Sequence, residues 1–169
     1  MRTIQRFAIG ACTGIVALTS FAGTASAGTG ADTVTVRSES AAAPKIIKCR
    51  AVAHNPHYSH HAHAADKHRV NIVGTVKCDK KVAKLRIKVV LYKGKSKNRL
   101  YKYKESAWKT NYGKSSINHN AARRCVKKQY YKGVAFVQVV FPPGYKPPAG
   151  SAKPWSKTVY ISACKKQGS

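Results

Sequence analysis

Apolar and polar residues alternate along most of the chain from Lys45 onward, which is the two-residue period of a β-strand with one buried face. The pattern is clearest at residues 84–91, where apolar side chains alternate with basic ones. The inward set is Leu85, Ile87, Val89 and Leu91, and the outward set is Lys84, Arg86 and Lys88. This segment is therefore predicted to be a strand with its apolar face in the core.

Three further segments share this period, namely residues 70–78, 135–141 and 159–163. The second of them ends at Pro142, because proline cannot continue a hydrogen-bonded ladder. Shorter strands are predicted at Ile46–Ala53 and Arg99–Glu105. No helical pattern of comparable strength occurs along the sequence.

Six or so strands separated by turns of Gly, Pro, Asn and Lys predict an all-β protein. The expected architecture is a small antiparallel β-sandwich, Ig-like or related, with a small barrel as the alternative. Residues 45–169 are expected to form this single domain, since a chain of about 140 residues can bury a core of its own. The polar stretch 106–124 is expected to be a mobile excursion from it.

The first 27 residues predict a secretory signal peptide. A basic start, Met1–Arg6, is followed by an apolar run from Phe7 to Ala22 and by the small-residue triplet Ala25–Ala27. The apolar run is short and interrupted by Gly and Thr, which does not favour a membrane span. Cutting after Ala27 leaves 142 of the 169 residues, and the mature protein is expected to be secreted and extracellular.

Residues 28–44 are small and polar, and they predict a flexible N-terminal extension outside the core. Within this extension one run has strand propensity but no evident apolar neighbour with which to pair. The run consists of Thr33, Val34, Thr35, Val36 and Arg37. Two roles are open for it: a strand that docks in a partner's groove, or a plain spacer.

Four cysteines remain once the signal peptide and Cys12 are removed: Cys49, Cys78, Cys125 and Cys164. An even number in a small exported chain predicts two disulfides. Four cysteines allow three pairings, and the sequence alone does not choose among them. Consecutive strands usually lie side by side, so strand order favours Cys49 with Cys78 and Cys125 with Cys164. Each bridge is expected to stabilise the fold by roughly 3 to 4 kcal/mol in the chain-entropy model.

Positive charge dominates the composition. Of 32 lysines and arginines, 30 remain after Arg2 and Arg6 are removed, against five acids, which gives a net charge of +25 with neutral histidines. Self-repulsion of this size favours an anionic partner. Most of the cations are lysines, and a lysine is a point charge whereas an arginine is a planar fork, so diffuse attraction is favoured over bidentate recognition. The alternative is that the charge only keeps the protein soluble.

The inventory of catalytic groups does not favour an enzyme. Acid–base or glycosidase chemistry uses two carboxylates in one site, but the predicted domain holds only Asp66 in a loop, Asp79 in a turn and Glu105 at a strand end. A Ser-His-Asp site would have to take a histidine from a flexible loop or use His119. No nucleophile-elbow, zinc-protease or phosphate-loop motif is present. The protein is therefore expected to be noncatalytic and to need no cofactor.

Six histidines fall within the fifteen residues HNPHYSHHAHAADKH, from His54 to His68. Neutral imidazoles bind zinc, copper or nickel, and a flexible loop can gather several of them. The candidate metal ligands are His54, His57, His60, His61 and His63. Their irregular spacing and the surrounding positive charge favour adventitious binding of Zn, Ni or Cu over a resident metal. Protonation in mild acid and a simple solvated loop are the two other interpretations.

Basic residues mixed with tyrosines form a third cluster of candidate binding residues. The candidate partner-binding cations are Lys93, Lys95, Lys97, Lys102, Lys104, Arg123, Arg124, Lys127 and Lys128. Single-stranded nucleic acid is held by cations with stacking rings, so nonspecific nucleic-acid binding is expected in vitro. Because the protein is expected to be exported, nucleic acid is not expected to be its biological partner.

Three stretches, within roughly residues 70–164, resemble a group of small secreted proteins common in filamentous actinobacteria: VNIVGTVKCDKKVAKLRIKVVLYKGK, ARRCVKKQYYKGVAFVQVVFPPGYKPP and SKTVYISAC. Some of that group look similar to the adaptor subunit of secreted umbrella toxin particles. That subunit is a disulfide-linked β domain whose N-terminal extension enters an acidic groove in a larger scaffold protein. The resemblance implies an acidic protein partner and a plug formed by residues 28–44.

The function expected from the sequence is therefore that of a secreted, noncatalytic and strongly basic binding or adaptor module. It would engage an acidic protein or an anionic polymer, and it could be a component of an antibacterial toxin particle. One alternative is a cationic antimicrobial or cell-envelope-binding protein. The other is a metal or pH sensor built on the histidine loop.

Overall fold

The computed structural model describes residues 31–38, 46–60 and 67–165. Within these ranges the secondary-structure elements are β-strands, and no helix is present. The predicted signal peptide, residues 1–27, lies outside the described residues. The strands are β1 (Ala31–Ser38), β2 (Ile46–Ala53), β3 (His57–His60), β4 (His68–Cys78), β5 (Lys84–Ser96), β6 (Arg99–Glu105), β7 (Lys109–Tyr112), β8 (Ser116–Arg124), β9 (Gln129–Val140), β10 (Tyr145–Lys146), β11 (Ala149–Ala152) and β12 (Val159–Ile161). The described part of the chain contains no helix that could span a membrane.

The strands form two antiparallel sheets. In the first sheet the strand order is β10-β1-β2-β4. β3 pairs with β4 on the same edge as β2, and β8 pairs with the opposite edge of β4. In the second sheet β9 and β5 pair along eleven residues and form its centre. β11 and β12 extend the free edge of β9, and β6 and β7 extend that of β5. The prediction of a small all-β, antiparallel sandwich is confirmed.

The core lies between the two sheets and is built by the alternation that the sequence shows. The inward residues of β5 have relative exposures of 0%, and so do Val70 and Ile72 in β4. Gly133 in β9 allows the sheets to approach, because a Cβ at this position would lie 1.4 Å from Cδ1 of Ile72. The predicted strands at residues 46–53 and 99–105 are confirmed at the predicted bounds.

Both favoured disulfides are present. Cys49 and Cys78 lie directly opposite each other on β2 and β4, and both are buried. Cys125 follows β8 and is joined to Cys164, which follows β12, so this bridge links the first sheet to the second. Strand order was therefore a sufficient guide to the pairing.

Residues 31–38 are not an unattached tail. They form β1, which pairs with β2 from Ala31 opposite Val52 to Arg37 opposite Ile46. Val36 is 2% exposed and belongs to the core. The expected flexible extension is corrected for these residues, because β2 supplies the apolar neighbour that the sequence pattern lacked. Residues 28–30 and 39–44 lie outside the described residues.

The stretch 106–124 is likewise part of the sheets rather than a mobile excursion. Its second half is β8, which pairs with nine consecutive residues of β4. Ile117 and Ala121 are buried from this strand, while its other residues are polar or partly exposed. β8 forms one edge of the first sheet, so few of its side chains need to be apolar.

Candidate anion-binding site

One end of the sandwich brings together the elements that carry most of the predicted partner-binding cations. The β5–β6 hairpin reaches this end because Lys93 and Gly94 pair with Tyr131 and Tyr130 at the start of β9. The end of β8 and the β8–β9 connection lie beside it. We call this surface the basic end, and it comprises Lys93, Lys95, Lys97, Lys104, Arg123, Arg124, Lys127 and Lys128.

Tyr103 organises the basic end. The Nζ atom of Lys93 lies 4.1 Å from the centre of the Tyr103 ring, and the guanidinium carbon of Arg123 lies 4.8 Å from it. Arg123 also donates a 2.6 Å hydrogen bond to the Tyr103 carbonyl oxygen, and the Tyr103 hydroxyl donates one of 2.8 Å to the carbonyl oxygen of Arg124. A cation over a ring keeps its charge, so these contacts position two cations without neutralising them.

A buried tyrosine fixes the connection that carries Lys127 and Lys128. The hydroxyl of Tyr131 donates to the carbonyl oxygen of Val126 and accepts from its backbone N–H, each at 2.9 Å. Tyr131 has a relative exposure of 0%, and burial raises the pKa of its phenol to about 12. Lys128 completes the turn in the left-handed region, at a φ of 57°. The β8–β9 connection is therefore fixed by two hydrogen bonds to the neutral, buried phenol of Tyr131.

An open cleft of about 790 Å³ runs along the basic end. Among the described residues its lining contains four basic side chains and no acid: Lys67, His68, Arg124 and Lys127 surround Cys125, Val126 and Cys164. Lys67 and His68 were not among the predicted partner-binding residues. They come from the start of β4, which the pairing of Arg69 with Arg124 places beside the end of β8. Only the strand register, which local sequence does not reveal, could have identified them.

The acids of the described residues lie elsewhere and are already engaged. Asp32 in β1 accepts a hydrogen bond from the backbone N–H of Lys153, and Asp79, after β4, accepts one from that of Lys48. Glu105 at the end of β6 forms ion pairs with Lys88 and Lys102. Asp66 and Glu39 lie outside the described residues.

Lys102 differs from the other predicted cations because it is paired. Glu105 binds the ammonium groups of Lys88 at 2.6 Å and Lys102 at 3.0 Å. The hydrogen bond from Lys88, followed by that from Lys102, lowers the pKa of Glu105 below its usual range. The hydrogen bond to Glu105 raises the pKa of Lys102. Lys102 therefore offers less uncompensated charge to a ligand than the cations of the basic end.

The predicted partner-binding run Thr33–Arg37 is not at the basic end. It lies in β1, separated from β8 by β2 and β4 in the first sheet. The sequence grouped it with the cations as a binding element, but the structure does not bring the two together.

Most of the described histidines contact groups other than histidine. Nε2 of His54 lies 3.1 Å from Oγ1 of Thr75, and Nδ1 of His57 lies 3.2 Å from the carbonyl oxygen of Asn55. Nδ1 of His68 is 2.7 Å from the hydroxyl of Tyr58, and His60 packs edge-on against His68. Within residues 31–38, 46–60 and 67–165 no three His, Cys, Asp or Glu side chains are grouped to hold a metal ion. His61 and His63 lie outside these ranges, so the predicted metal site stays a prediction.

No protein-family model and no curated protein sequence matches this chain.

Proposed function

We propose that this protein is an exported, noncatalytic binding module whose basic end holds an anionic polymer of the cell exterior. The observation that carries the proposal is the convergence of three separate chain segments on that end. The β5–β6 hairpin, the end of β8 with the β8–β9 connection, and the start of β4 with the preceding Lys67 contribute ten basic side chains to the basic end and its cleft, including His68.

Export is supported by the two disulfides, which persist in oxidising compartments, and by the signal-peptide pattern of the first 27 residues. The noncatalytic character is supported by the separation of the acids. Asp32, Asp79 and Glu105 lie in different elements, and each already accepts a hydrogen bond or forms an ion pair.

A polymer fits the basic end better than a single small anion does. The cations are mostly lysines on exposed loops and strand ends, and lysine attracts anions as a point charge without fixing their geometry. Such a surface holds a chain of regularly spaced charges, and its affinity depends steeply on salt.

An acidic protein is the alternative partner, as the resemblance implies. A plug formed by the N-terminal extension has less support, because residues 31–38 would have to leave β2 and expose Val36. An acidic protein that docks on the basic end itself would need no such rearrangement. A pull-down from culture supernatant, compared between the wild type and the variants below, distinguishes the two partners.

The proposal is tested with two variants of equal net charge. The first replaces Lys95, Lys97, Lys127 and Lys128 with glutamine, and the control replaces Lys48, Lys77, Lys80 and Lys81, which are exposed on the remainder of the protein. The probe is polyglycerol phosphate, with affinity measured between 0.05 and 0.3 M salt. Polymer length is measured after incubation to detect cleavage.

We expect the basic-end variant to lower the slope of log affinity against log salt by about 3, since each lysine at a phosphate contributes roughly 0.7 to 0.9. The control should change the slope by less than about 1. Equal losses in both variants would mean that only net charge matters, and cleavage of the polymer would show that the module is an enzyme. Either result would overturn the proposal.

A further inference from the structure

The outer face of the second sheet carries most of the exposed large apolar side chains of the described residues. Five of the six lie on this face, and only Tyr101 does not. The five are Trp108, Tyr112, Val140, Trp155 and Tyr160. Apolar side chains concentrated on one face of a soluble domain mark a contact surface.

Cations alternate with these rings. We call the surface the cation–aromatic face, and it comprises Lys84, Arg86, Lys88, Lys132, Lys153, Tyr92, Trp108, Tyr112, Phe136 and Trp155. The side chains come from β5, β7, β9 and the segments that follow β6 and β11. Residues 86, 108, 136 and 155 are far apart in sequence, so the face exists only in the folded sheet.

The central row of this face alternates ring and ammonium across the strands. Lys88 Nζ lies 5.4 Å from the ring centre of Trp108 and 5.3 Å from that of Phe136. Lys153 Nζ continues the row, at 5.1 Å from Phe136 and 5.5 Å from Trp155. Rings and cations therefore alternate along the row, in the order Trp108, Lys88, Phe136, Lys153, Trp155.

Two further cations flank the row. Arg86 lies 4.7 Å from the Trp108 ring, and Lys132 lies 5.0 Å from the Trp155 ring. Exposed contacts of this kind contribute only about 0.5 to 1 kcal/mol each, so they orient the cations without preventing them from binding an anion.

Two buried valines lie on the same side of the sheet as the rings. Val90 and Val134 point to this side of the sheet, away from the core cluster, yet they are 3% and 0% exposed. Trp155 is bridged to Val134 through the backbone, and the Tyr92 ring lies 5.7 Å from the Trp155 ring. Trp155 is thus anchored beside Val134 in the sheet, and its ring packs against that of Tyr92.

Charge complementarity defines the occupant. In the part of the chain that the structure describes, this face carries five cations and one acid, Glu105, which binds Lys88 and Lys102. The ligand must therefore carry several anionic groups, and it must also present flat apolar faces that stack on the rings.

We propose that the cation–aromatic face binds an anionic polysaccharide, with the C–H faces of its sugar rings on Trp108, Phe136 and Trp155 and its carboxylates on Lys132 and Lys153, the two cations beside Trp155. This inference deepens the proposed function, on which it rests, by naming the class of polymer. Single-stranded nucleic acid has the same two features, but it is typically held in a groove, and the disulfides favour the cell exterior, where glycans are abundant polyanions.

Both tryptophans of the chain lie on this face, so their fluorescence reports binding there directly. The probes are oligogalacturonate, which has sugar rings and carboxylates, poly-L-glutamate, which has carboxylates alone, and oligo-dT of matched charge. The variants are Phe136→Ala with Trp155→Ala, and Trp155→Tyr as the conservative replacement. Thermal unfolding of each variant establishes that it is folded.

Oligogalacturonate should shift the tryptophan emission of the wild type and protect it from acrylamide. The double alanine variant should bind this probe at least about 10-fold more weakly and poly-L-glutamate within about 2-fold of the wild type. Trp155→Tyr should recover most of the glycan affinity. Polyglutamate should bind through charge alone and leave the emission nearly unchanged.

The outcomes separate this inference from the proposed function. If the double alanine variant binds both polyanions as the wild type does, while the basic-end variant loses affinity for them, the proposed function stands and the glycan inference is wrong. If the basic-end variant and its control behave alike, the proposed function fails instead. A larger loss for oligo-dT than for oligogalacturonate would assign the face to nucleic acid and overturn the glycan inference.

Discussion

Arg123 on β8 and Tyr103 on β6 are joined by two contacts that link the two sheets. The guanidinium carbon lies 4.8 Å from the ring centre, and Nη1 donates a 2.6 Å hydrogen bond to the Tyr103 carbonyl oxygen. The Nζ atom of Lys93 lies 4.1 Å from the centre of the same ring. The basic end is therefore an organised structure and not a scatter of surface charges.

Replacing Tyr103 with leucine should weaken polymer binding without any change in net charge. The ring that positions Lys93 and Arg123 is lost, and two exposed cation–π contacts together correspond to roughly 1 to 2 kcal/mol, or about 5- to 30-fold, as an upper limit on the loss of affinity. The measurement is titration with polyglycerol phosphate at 0.15 M salt.

Tyr103→Phe is the matched control. It keeps the ring and removes only the hydrogen bond to Arg124, so polymer affinity should stay within about 2-fold while the free energy of unfolding falls by about 1 kcal/mol. Equal affinities for the leucine and phenylalanine variants would show that the ring does not organise the cations.

Glu105→Gln should strengthen binding of oligogalacturonate to the cation–aromatic face. The substitution removes the acid that the described residues place on that face, and it releases Lys88 and Lys102 from their ion pairs. Exposed ion pairs are weak, so the expected gain is roughly 2- to 5-fold. It should vanish at high salt. A decrease in affinity would mean that Glu105 positions the lysines instead of competing for them.

The pH dependence of the same pair gives an independent check. Because the hydrogen bonds from Lys88 and Lys102 lower the pKa of Glu105, the wild type keeps this negative charge below the usual titration range of glutamate. The wild type and Glu105→Gln should therefore differ in affinity at neutral pH and converge only in stronger acid. The stability that the ion pairs contribute is present above the unfolded-state pKa and is lost as the pH falls through the folded one.

The strands that sequence predicted best are those with the strictest alternation. In β4 and β5 an apolar residue occupies nearly every inward position, because both strands lie inside their sheets and are packed along their whole length. β8 was missed because only Ile117 and Ala121 are buried from it. β1 was missed because its partner β2 follows an intervening segment, and pairing is not a local property of sequence.

The candidate sites, like the strands, were predicted from the sequence only in part. The basic runs of the hairpin and of the β8–β9 connection are visible in the sequence as charge, but their common anchor, Tyr103, is visible only as contacts. The cation–aromatic face was missed altogether. Its row joins Trp108, Phe136 and Trp155, which come from three segments that only the pairing of β5 with β9 and β7 places side by side.

Val36→Asp tests whether β1 belongs to the folded domain. Val36 is 2% exposed, so an unpaired carboxylate at this position should lower the free energy of unfolding by several kcal/mol. Thr35→Asp, on the exposed side of the same strand, should change it by no more than about 0.5 kcal/mol. Urea denaturation measures the free energy of unfolding of both variants. If both substitutions have equally small effects, residues 31–38 do not belong to the folded domain.

Tyr131→Phe should change both the titration and the alkaline stability of the protein. Burial raises the pKa of Tyr131 to about 12, so absorbance at 295 nm should lose one late ionisation in the variant. The neutral phenol is favoured in the folded state, so its contribution to stability is full below the unfolded pKa near 10 and is lost as the pH rises toward 12. The wild type should therefore be the more stable protein at pH 8, and this advantage should shrink between pH 10 and 12.

The control is Tyr160→Phe, which removes a half-exposed phenol from the same sheet. Urea denaturation at each pH measures the difference in free energy of unfolding between each variant and the wild type. For Tyr131→Phe this difference should begin at about 1 to 3 kcal/mol, because two hydrogen bonds to Val126 are lost, and decline with rising pH. If the stability profiles of Tyr131→Phe and the wild type stay parallel up to pH 12, the phenol does not anchor the β8–β9 connection as a buried neutral group.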